Sequence, residues 1–234
     1  DFRRADIALG GQGAPLLPAF HAEIFRSSSE NRAVVNLGGI ANVTLLPKNV
    51  ISPIRGFDTG PGNGLMDNWV MQCWQKPYDN GGAIAKSGKV IPHLLHSCLA
   101  DVFFSKPPPK STGRDYFHLD WLNQLIETSE YKQEDILATL LSLTAHTVSN
   151  ALQPYQAETQ RLFRCGGGAY NETLAQTIAH LMPHIQVETS EEHGVPPEWI
   201  EGCGFAWLAY RRLLQLNGNL PAVTGAKQSA ILGT

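Results

Sequence analysis

Residues 32–67, RAVVNLGGIANVTLLPKNVISPIRGFDTGPGNGLMD, constrain the fold more than any other stretch of the 234-residue chain. Val34, Val35, Asn36 and Leu37 run into Gly38-Gly39, and residues 42–46 resume with apolar and β-branched side chains. That spacing predicts a β-hairpin turning on the two glycines. Residues 54–57 then read as a short third strand that delivers Asp58 into Thr59-Gly60-Pro61-Gly62-Asn63, and Leu65, Met66 and Trp69 begin a helical pattern over 64–73. Glycines at a turn let backbone N–H groups approach an anion that side chains would hold off. A carboxylate at a strand-to-helix turn beside such a cradle is the pairing that phosphoryl transfer needs: the amides hold phosphates and the carboxylate activates the nucleophile.

Each half of this reading has a plainer alternative. A Gly-Gly can be nothing more than a hairpin turn, and an aspartate before Thr-Gly can cap a loop through local hydrogen bonds. Asp58-Thr59-Gly60 also matches the short motif of aspartic proteases. Those enzymes need two copies sharing one proton, and here Pro61 follows and no second copy exists. The protease reading falls.

A hydrophobic content of 43% over this length suits one large domain, or one with part of another. With a net charge of −3 and 17% charged residues, no basic face points to nucleic acid. Phosphates would be held by backbone amides and a metal ion, not by a cluster of lysines. Cys73, Cys98, Cys165 and Cys203 lack C-x-x-C spacing, which suits free thiols in a reducing compartment. No apolar run reaches membrane-spanning length and no signal peptide is visible, so a cytoplasmic location is expected.

Along the rest of the chain, residues 1–31 hold a short apolar segment, the run Gly10-Gly11-Gln12-Gly13, and a polar stretch 27–31 that reads as a linker or exposed loop. Residues 91–104 carry apolar side chains at helical spacing, and 106–114, KPPPKSTGR, is a stiff loop because its prolines forbid helix. A short helix follows around Trp121. Asp135 is the expected N-cap of a long amphipathic helix reaching Leu152. Residues 161–164 read as a strand running into Cys165-Gly166-Gly167-Gly168-Ala169-Tyr170-Asn171 and then a helix; 185–187 is a further strand, and 199–214 is strongly helical. Hairpin strands followed by alternating strand and helix give an α/β, mixed-sheet domain with flanking helices.

Three further features carry chemistry. Gly166-Gly167-Gly168 closes a strand and opens a helix, which is either a tight turn or a place where free N–H groups meet an anion or a stacked purine. It is not G-x-G-x-x-G, and no acidic residue follows at ribose spacing, which disfavours a dinucleotide fold. Lys110-Ser111-Thr112-Gly113-Arg114 lacks the Gly-x-x-x-x-Gly that precedes a Walker lysine. It remains a solvated loop or a contact to substrate or nucleotide. Glu201, in WIEGCGFAW (199–207), is either a partner of the helix dipole or a ligand for a polar substrate. The cost of Gly202 and Gly204 within a helix hints at close packing there. His21, His118 and His146 show no metal-ligand spacing and are read as structural, and no residue is assigned to a metal.

The segments 8–21 (ALGGQGAPLLPAFH), 34–46 (VVNLGGIANVTLL), 55–67 (RGFDTGPGNGLMD), 109–117 (PKSTGRDYF), 165–171 (CGGGAYN) and 196–209 (PPEWIEGCGFAWLA) resemble, in the same order, anhydro-N-acetylmuramic acid kinase. That family is part of the sugar kinase, Hsp70 and actin group, in which two ribonuclease H-like domains close around ATP. The resemblance implies that Gly38, Gly39 and Asn42 form a phosphate hairpin, that Gly166, Gly167, Gly168 and Asn171 form an adenosine loop, and that Asp58 is the catalytic base. Glu201, with Asn63, is expected at the sugar. It also implies ATP and Mg²⁺ as cofactors, a small sugar substrate and a homodimer, with neither nucleic acid nor membrane as partner, and a role in peptidoglycan recycling. The chain starts at Asp1, and the family's N-terminal Met-Ser-Gly-Thr-Ser-Leu-Asp hairpin and the Gly-His-Gly-Gln segment after it have no counterpart here. The expectation is a chain carrying roughly the last two thirds of such a kinase, with 1–31 a remnant of a first, similar domain and linker, and 32–234 the C-terminal domain. Alone, such a piece is expected to be inactive, its alternative role being to bind sugar or nucleotide.

Overall fold

The computed structural model describes residues 1–126 and 130–233. Five strands, β1 (Asn31–Leu37), β2 (Ile40–Leu46), β3 (Arg55–Pro61), β4 (Thr159–Cys165) and β5 (Gln186–Thr189), form one sheet in the order β3-β2-β1-β4-β5. β1 to β3 are antiparallel neighbours, whereas β4 runs parallel to β1 and β5 parallel to β4. This mixed α/β topology, a three-stranded meander extended by two parallel strands, is the ribonuclease H-like arrangement expected of the sugar-kinase and actin group.

The helices are α1 (Arg4–Ala8), α2 (Pro18–Phe25), α3 (Asn63–Trp74), α4 (Ala83–Ser87), α5 (Pro92–Leu99), α6 (Val102–Ser105), α7 (Leu119–Asn123), α8 (Gln133–Leu152), α9 (Glu172–Leu181), α10 (Ile200–Leu213) and α11 (Pro221–Thr224). They divide between the sheet's two faces because strand side chains alternate. Ala33, Val35 and Leu37 of β1, Ala41, Val43 and Leu45 of β2 and Phe57 of β3 point into the larger core, packed under α3, α5, α8 and α9. Val34, Leu46, Phe163 and Cys165 point the other way, under Phe20 and Phe25 of α2 and Ile200 of α10. α8 is buried almost all round, its Ser and Thr side chains included.

Three local expectations are corrected. α8 begins at Gln133 with Lys132 as its N-cap, so Asp135 lies inside the first turn and accepts from the Lys89 N–H at 2.7 Å. The loop at Gly88 packs so closely on that turn that a side chain there would meet the Glu134 carbonyl, and Asp135 ties the loop down instead of capping. Residues 91–104 form two helices, not one. Pro92 opens α5, and Asp101 caps α6 by accepting from Phe103 N–H at 2.8 Å. The glycine cluster 166–168 does not open α9 directly. A 3-10 turn (Gly167–Tyr170) intervenes, and the Asn171 side chain caps α9 by accepting from Leu174 N–H at 3.0 Å.

Residues 1–25 lie against α10 and the C-terminal segment. The fully buried Asp6 carboxylate accepts from Gly13 N–H (2.9 Å), Asn219 Nδ2 (2.7 Å) and Thr224 Oγ1 (2.7 Å), so its charge is met from both ends of the chain. A Cβ on Gly204 would stand 2.2 Å from Leu17 Cδ2. Gly204 therefore earns its place by letting α10 touch the turn before α2, whereas Gly202 borders open space.

His21, His118 and His146 each contact a neighbouring residue. His118 caps α7, and His146 contacts the Ser142 carbonyl one turn back in α8. His21 is fully buried beneath the sheet, with Nδ1 2.9 Å from Thr44 Oγ1 and Nε2 without a partner. Burial pushes its pKa down to about 3, which keeps the ring neutral.

Candidate active site

Asp58 sits near the end of β3, on the face opposite Phe57. Register places it beside Asn42 of β2, and Asn42 beside Asn36 of β1, so three polar side chains lie in a row across three strands. A β-bulge between Ala41 and Asn42 sets this alignment. The loop 106–114 runs along the free edge of β3. Asp58 N–H donates to the Lys110 carbonyl at 3.1 Å, and Thr112 N–H donates to Asp58 Oδ2 at 2.9 Å. Asp58 is 6% exposed. Burial raises its pKa to about 6, against the opposing pull of the Thr112 amide and of the Arg3 and Lys110 charges. A carboxyl held there is ionised at neutral pH and still basic enough to take a proton.

The cavity above Asp58 has a volume of about 460 Å³ and is lined also by Asn36, Gly38, Gly39, Asn42, Thr112, Arg114, Glu201 and Arg3. The glycine turn is gripped from behind. Gly38 O accepts from Asn63 N–H at 2.7 Å, and Gly39 O from Gly62 and Gly64 N–H at 3.1 and 3.2 Å. A Cβ on Gly62 would lie 2.2 Å from the Gly38 carbonyl, so the glycines after Asp58 let the start of α3 close onto the hairpin. The carbonyls are thereby used, while the amides of Gly38 and Gly39 enter none of the turn hydrogen bonds among the described residues. Uncommitted amides at the rim of a cavity are what an anion requires. Glu201, in the first turn of α10, is exposed at the same rim.

A second cavity, about 580 Å³, opens between the start of α3 and the 167–171 turn. Asn63, Asp67, Tyr78, Gly167, Gly168, Tyr170, Asn171 and Glu198 line it. Gly166 takes φ +77°, and a Cβ there would stand 2.4 Å from Asn36 Oδ1; a Cβ on Gly168 would stand 2.6 Å from Asn63 Oδ1. These glycines press the β4 end against the hairpin and α3, while Gly167 borders nearly open space. Asp67 is held up at about 6 by burial, with the Arg114 charge pulling it down.

The expected site residues thus fall into two groups. Gly38, Gly39, Asn42, Asp58 and Glu201 share the first cavity, and Gly167, Gly168 and Asn171 the second, with Gly166 at the joint. Asn63 is not brought to Glu201. It lines the second cavity, where its Nδ2 donates to the Leu37 carbonyl at 2.9 Å. Sequence reasoning missed Asn36, Thr112, Arg114 and Arg3. Asn36 could have been found by counting strand alternation back from Asn42, and Thr112 and Arg114 lay in a loop whose role was left open. Nothing local marks Arg3.

The ribonuclease H-like sheet carries a glycine turn, a buried aspartate and two cavities at its strand ends. The chain belongs to the anhydro-N-acetylmuramic acid kinase family, whose family model matches residues 1–234. It is 51% identical to the anhydro-N-acetylmuramic acid kinase of Xanthomonas campestris pv. campestris, 50% to that of Xylella fastidiosa and 49% to that of Coxiella burnetii. Each comparison covers 100% of this chain but only 61%, 61% and 63% of the relative. The chain therefore spans less than two thirds of the length of these relatives. Solved structures overlap more loosely. The activator of 2-hydroxyisocaproyl-CoA dehydratase from Clostridium difficile, with bound ADPNP, matches 79% of this chain and 60% of its own at TM-score 0.47 and 17% identity. Xylulose kinase from Rhodospirillum rubrum matches 79% of this chain and 40% of its own at TM-score 0.46 and 13% identity. Such overlaps add nothing to the topology read from the strands. Among the described residues no helix is long and apolar enough to cross a membrane.

Proposed function

We propose that this chain provides the Asp58 cavity and the adenosine loop of an ATP-dependent kinase that opens 1,6-anhydro-N-acetylmuramic acid and phosphorylates O6. The anhydro sugar has no free 6-hydroxyl, so the ring must open as the phosphoryl group arrives. Asp58 takes a proton from a water that attacks the anomeric carbon. The bond from that carbon to O6 breaks, and O6 takes the γ-phosphoryl group of ATP. N-acetylmuramic acid 6-phosphate and ADP leave, and Asp58 gives up its proton to solvent. The Gly38 and Gly39 amides meet the phosphates, Glu201 and Asn36 face the sugar, and the second cavity takes the nucleoside. Asn63 belongs in this reading to the nucleotide side.

The observation that carries the proposal is Asp58: buried, poised at about 6, and bordered by a glycine turn with uncommitted amides. No three of His, Cys, Asp and Glu gather into a metal site among the described residues. In this reading Mg²⁺ comes with the phosphates of the nucleotide, whose charge it neutralises. Residues 1–31 as part of a preceding domain, a homodimeric assembly, a cytoplasmic location and a role in cell-wall recycling complete the proposal.

The test is a short incubation in H₂¹⁸O of the protein at the length of its relatives with the anhydro sugar, ATP and Mg²⁺. One ¹⁸O at the anomeric carbon and none in the phosphoryl group is expected, with ADP formed one for one. Label in inorganic phosphate without sugar phosphate would make the protein an ATPase and remove the sugar step.

A further inference from the structure

The loop 106–114 does more than edge β3. Having fixed Asp58 through Lys110 and Thr112, it carries Arg114 across the glycine turn. The guanidinium lies over the turn. A Cβ on Gly39 would stand 2.1 Å from Arg114 Nε and 2.5 Å from Cζ, and one on Gly64 would stand 3.3 Å from Nε. Arg114 thus rests in the space beside Gly39 that a side chain there would share. Arg114 lines the Asp58 cavity, yet its charge also depresses the pKa of Asp67, which lines the second one. It stands at the joint between them.

The neighbouring cation is otherwise occupied. Lys110 Nζ donates to the Phe103 and Phe104 carbonyls at 3.3 Å each and lies 4.7 Å from the centre of the Phe103 ring. Arg114 makes no hydrogen bond and no ion pair with any described residue, so all five of its N–H donors are uncommitted. A planar fork of donors, resting on a turn whose amides are also unused, is shaped for a tetrahedral dianion.

Resting on the kinase reading above, we propose that Arg114 is a catalytic residue that grips the phosphoryl group in transit. Its guanidinium contacts the equatorial oxygens while the bond to the β-phosphate oxygen lengthens and the bond to the sugar O6 forms. Because that charge is shared out most widely in the transition state, the contact strengthens as transfer proceeds and shows in turnover more than in substrate binding.

The experiment uses the protein at the length of its relatives, as wild type, Arg114→Ala, Arg114→Lys and Arg114→Gln. Kinetics are measured with the anhydro sugar, and ATP and ADP affinities by calorimetry. Arg114 is exposed, so its variants should keep the wild-type melting temperature. A fall in kcat of about 10²- to 10³-fold is expected for Arg114→Ala, with ATP affinity reduced several-fold and ADP affinity nearly unchanged. Added guanidinium at millimolar concentration should restore part of the Arg114→Ala rate and none of the rate of a catalytically impaired Asp58→Asn. Lysine, a point charge without the fork, should recover only part of the loss. Unchanged kcat in Arg114→Ala, or equal losses of ATP and ADP affinity without rescue, would overturn the proposal while leaving an active wild type to uphold the kinase reading. An inactive wild type would instead remove the reading on which it rests.

Discussion

The two cavities at the strand ends are built from different parts of the chain. Around Asp58, side chains from strands, a distant loop, the N-terminal segment and α10 converge, and burial tunes the central carboxyl. Around the 166–171 turn, Gly166 and Gly168 let the end of β4 approach Asn36, Leu37 and Asn63 where a Cβ would intrude, and the side chains of Asp67, Tyr170 and Glu198 line the space beside them. The contrast teaches a division of labour. In the proposed reading the first cavity moves a proton and relies on a buried carboxyl, whereas the second admits the nucleoside beside turns whose close packing relies on glycine. Substitution should therefore act on turnover in the first and on binding and folding in the second.

The sharpest way to break the comparison is Asp58→Asn. Asparagine keeps the shape and can still accept from Thr112 N–H but takes no proton. Turnover should fall about 10²- to 10⁴-fold with ATP and sugar affinities little changed, read by steady-state kinetics beside calorimetry. Near-normal turnover would place the base elsewhere.

Next in size is Gly166→Ala. The methyl must fit at φ +77° and 2.4 Å from Asn36 Oδ1, so the fold should lose roughly 1–3 kcal/mol and ATP affinity should drop before turnover does. Thermal denaturation and nucleotide titration check both. Gly167→Ala, with nothing nearer than 4.0 Å, is the matched control and should leave stability unchanged. Equal effects at the two positions would mean that close packing at Gly166 is unimportant.

A third prediction probes what the Asp58 cavity rests on. His21, buried beneath β2 against Thr44, has its pKa lowered from 6.5 to about 3. Below pH 6.5 the unfolded chain takes up a proton that the folded chain refuses. Stability from this site is intact above pH 6.5 and declines as pH falls toward 3, by at most roughly 1.4 kcal/mol per pH unit. Denaturant unfolding across that range should show the slope, and His21→Gln should flatten it. A slope unaltered by the substitution would assign acid sensitivity to other groups.

Much of this contrast was legible in the residues. The hairpin at Gly38-Gly39, Asp58 at a strand end and the helix behind it follow from local patterning, where period and turn chemistry agree. The partition into two cavities was not legible, because it depends on where chain segments far apart in sequence come to rest. Thr112 reaches Asp58 across 54 positions, and Arg3 affects it only through the packing of the N-terminal segment, fixed by Asp6 on Asn219 and Thr224. The place of Asn63 depends on the same kind of packing. The resemblance paired it with Glu201 at the sugar, and the start of α3 sets it on the lining of the second cavity. Asp135 had the residue type of a cap, yet the tertiary contact with the Gly88 loop claimed its carboxylate.

The central claim is that burial holds Asp58 ready to act as a base at neutral pH, and the pH dependence of kcat/KM tests it most directly. With the protein at the length of its relatives, the rate should rise with pH along a limb centred near 6 and level off above it, as the carboxyl of Asp58 loses its proton. Asp67 is also raised to about 6, so the profile is measured in Asp67→Asn as well, where the limb should stay in place. A limb that vanishes with Asp67→Asn, or a profile flat down to the ordinary aspartate range, would contradict the account.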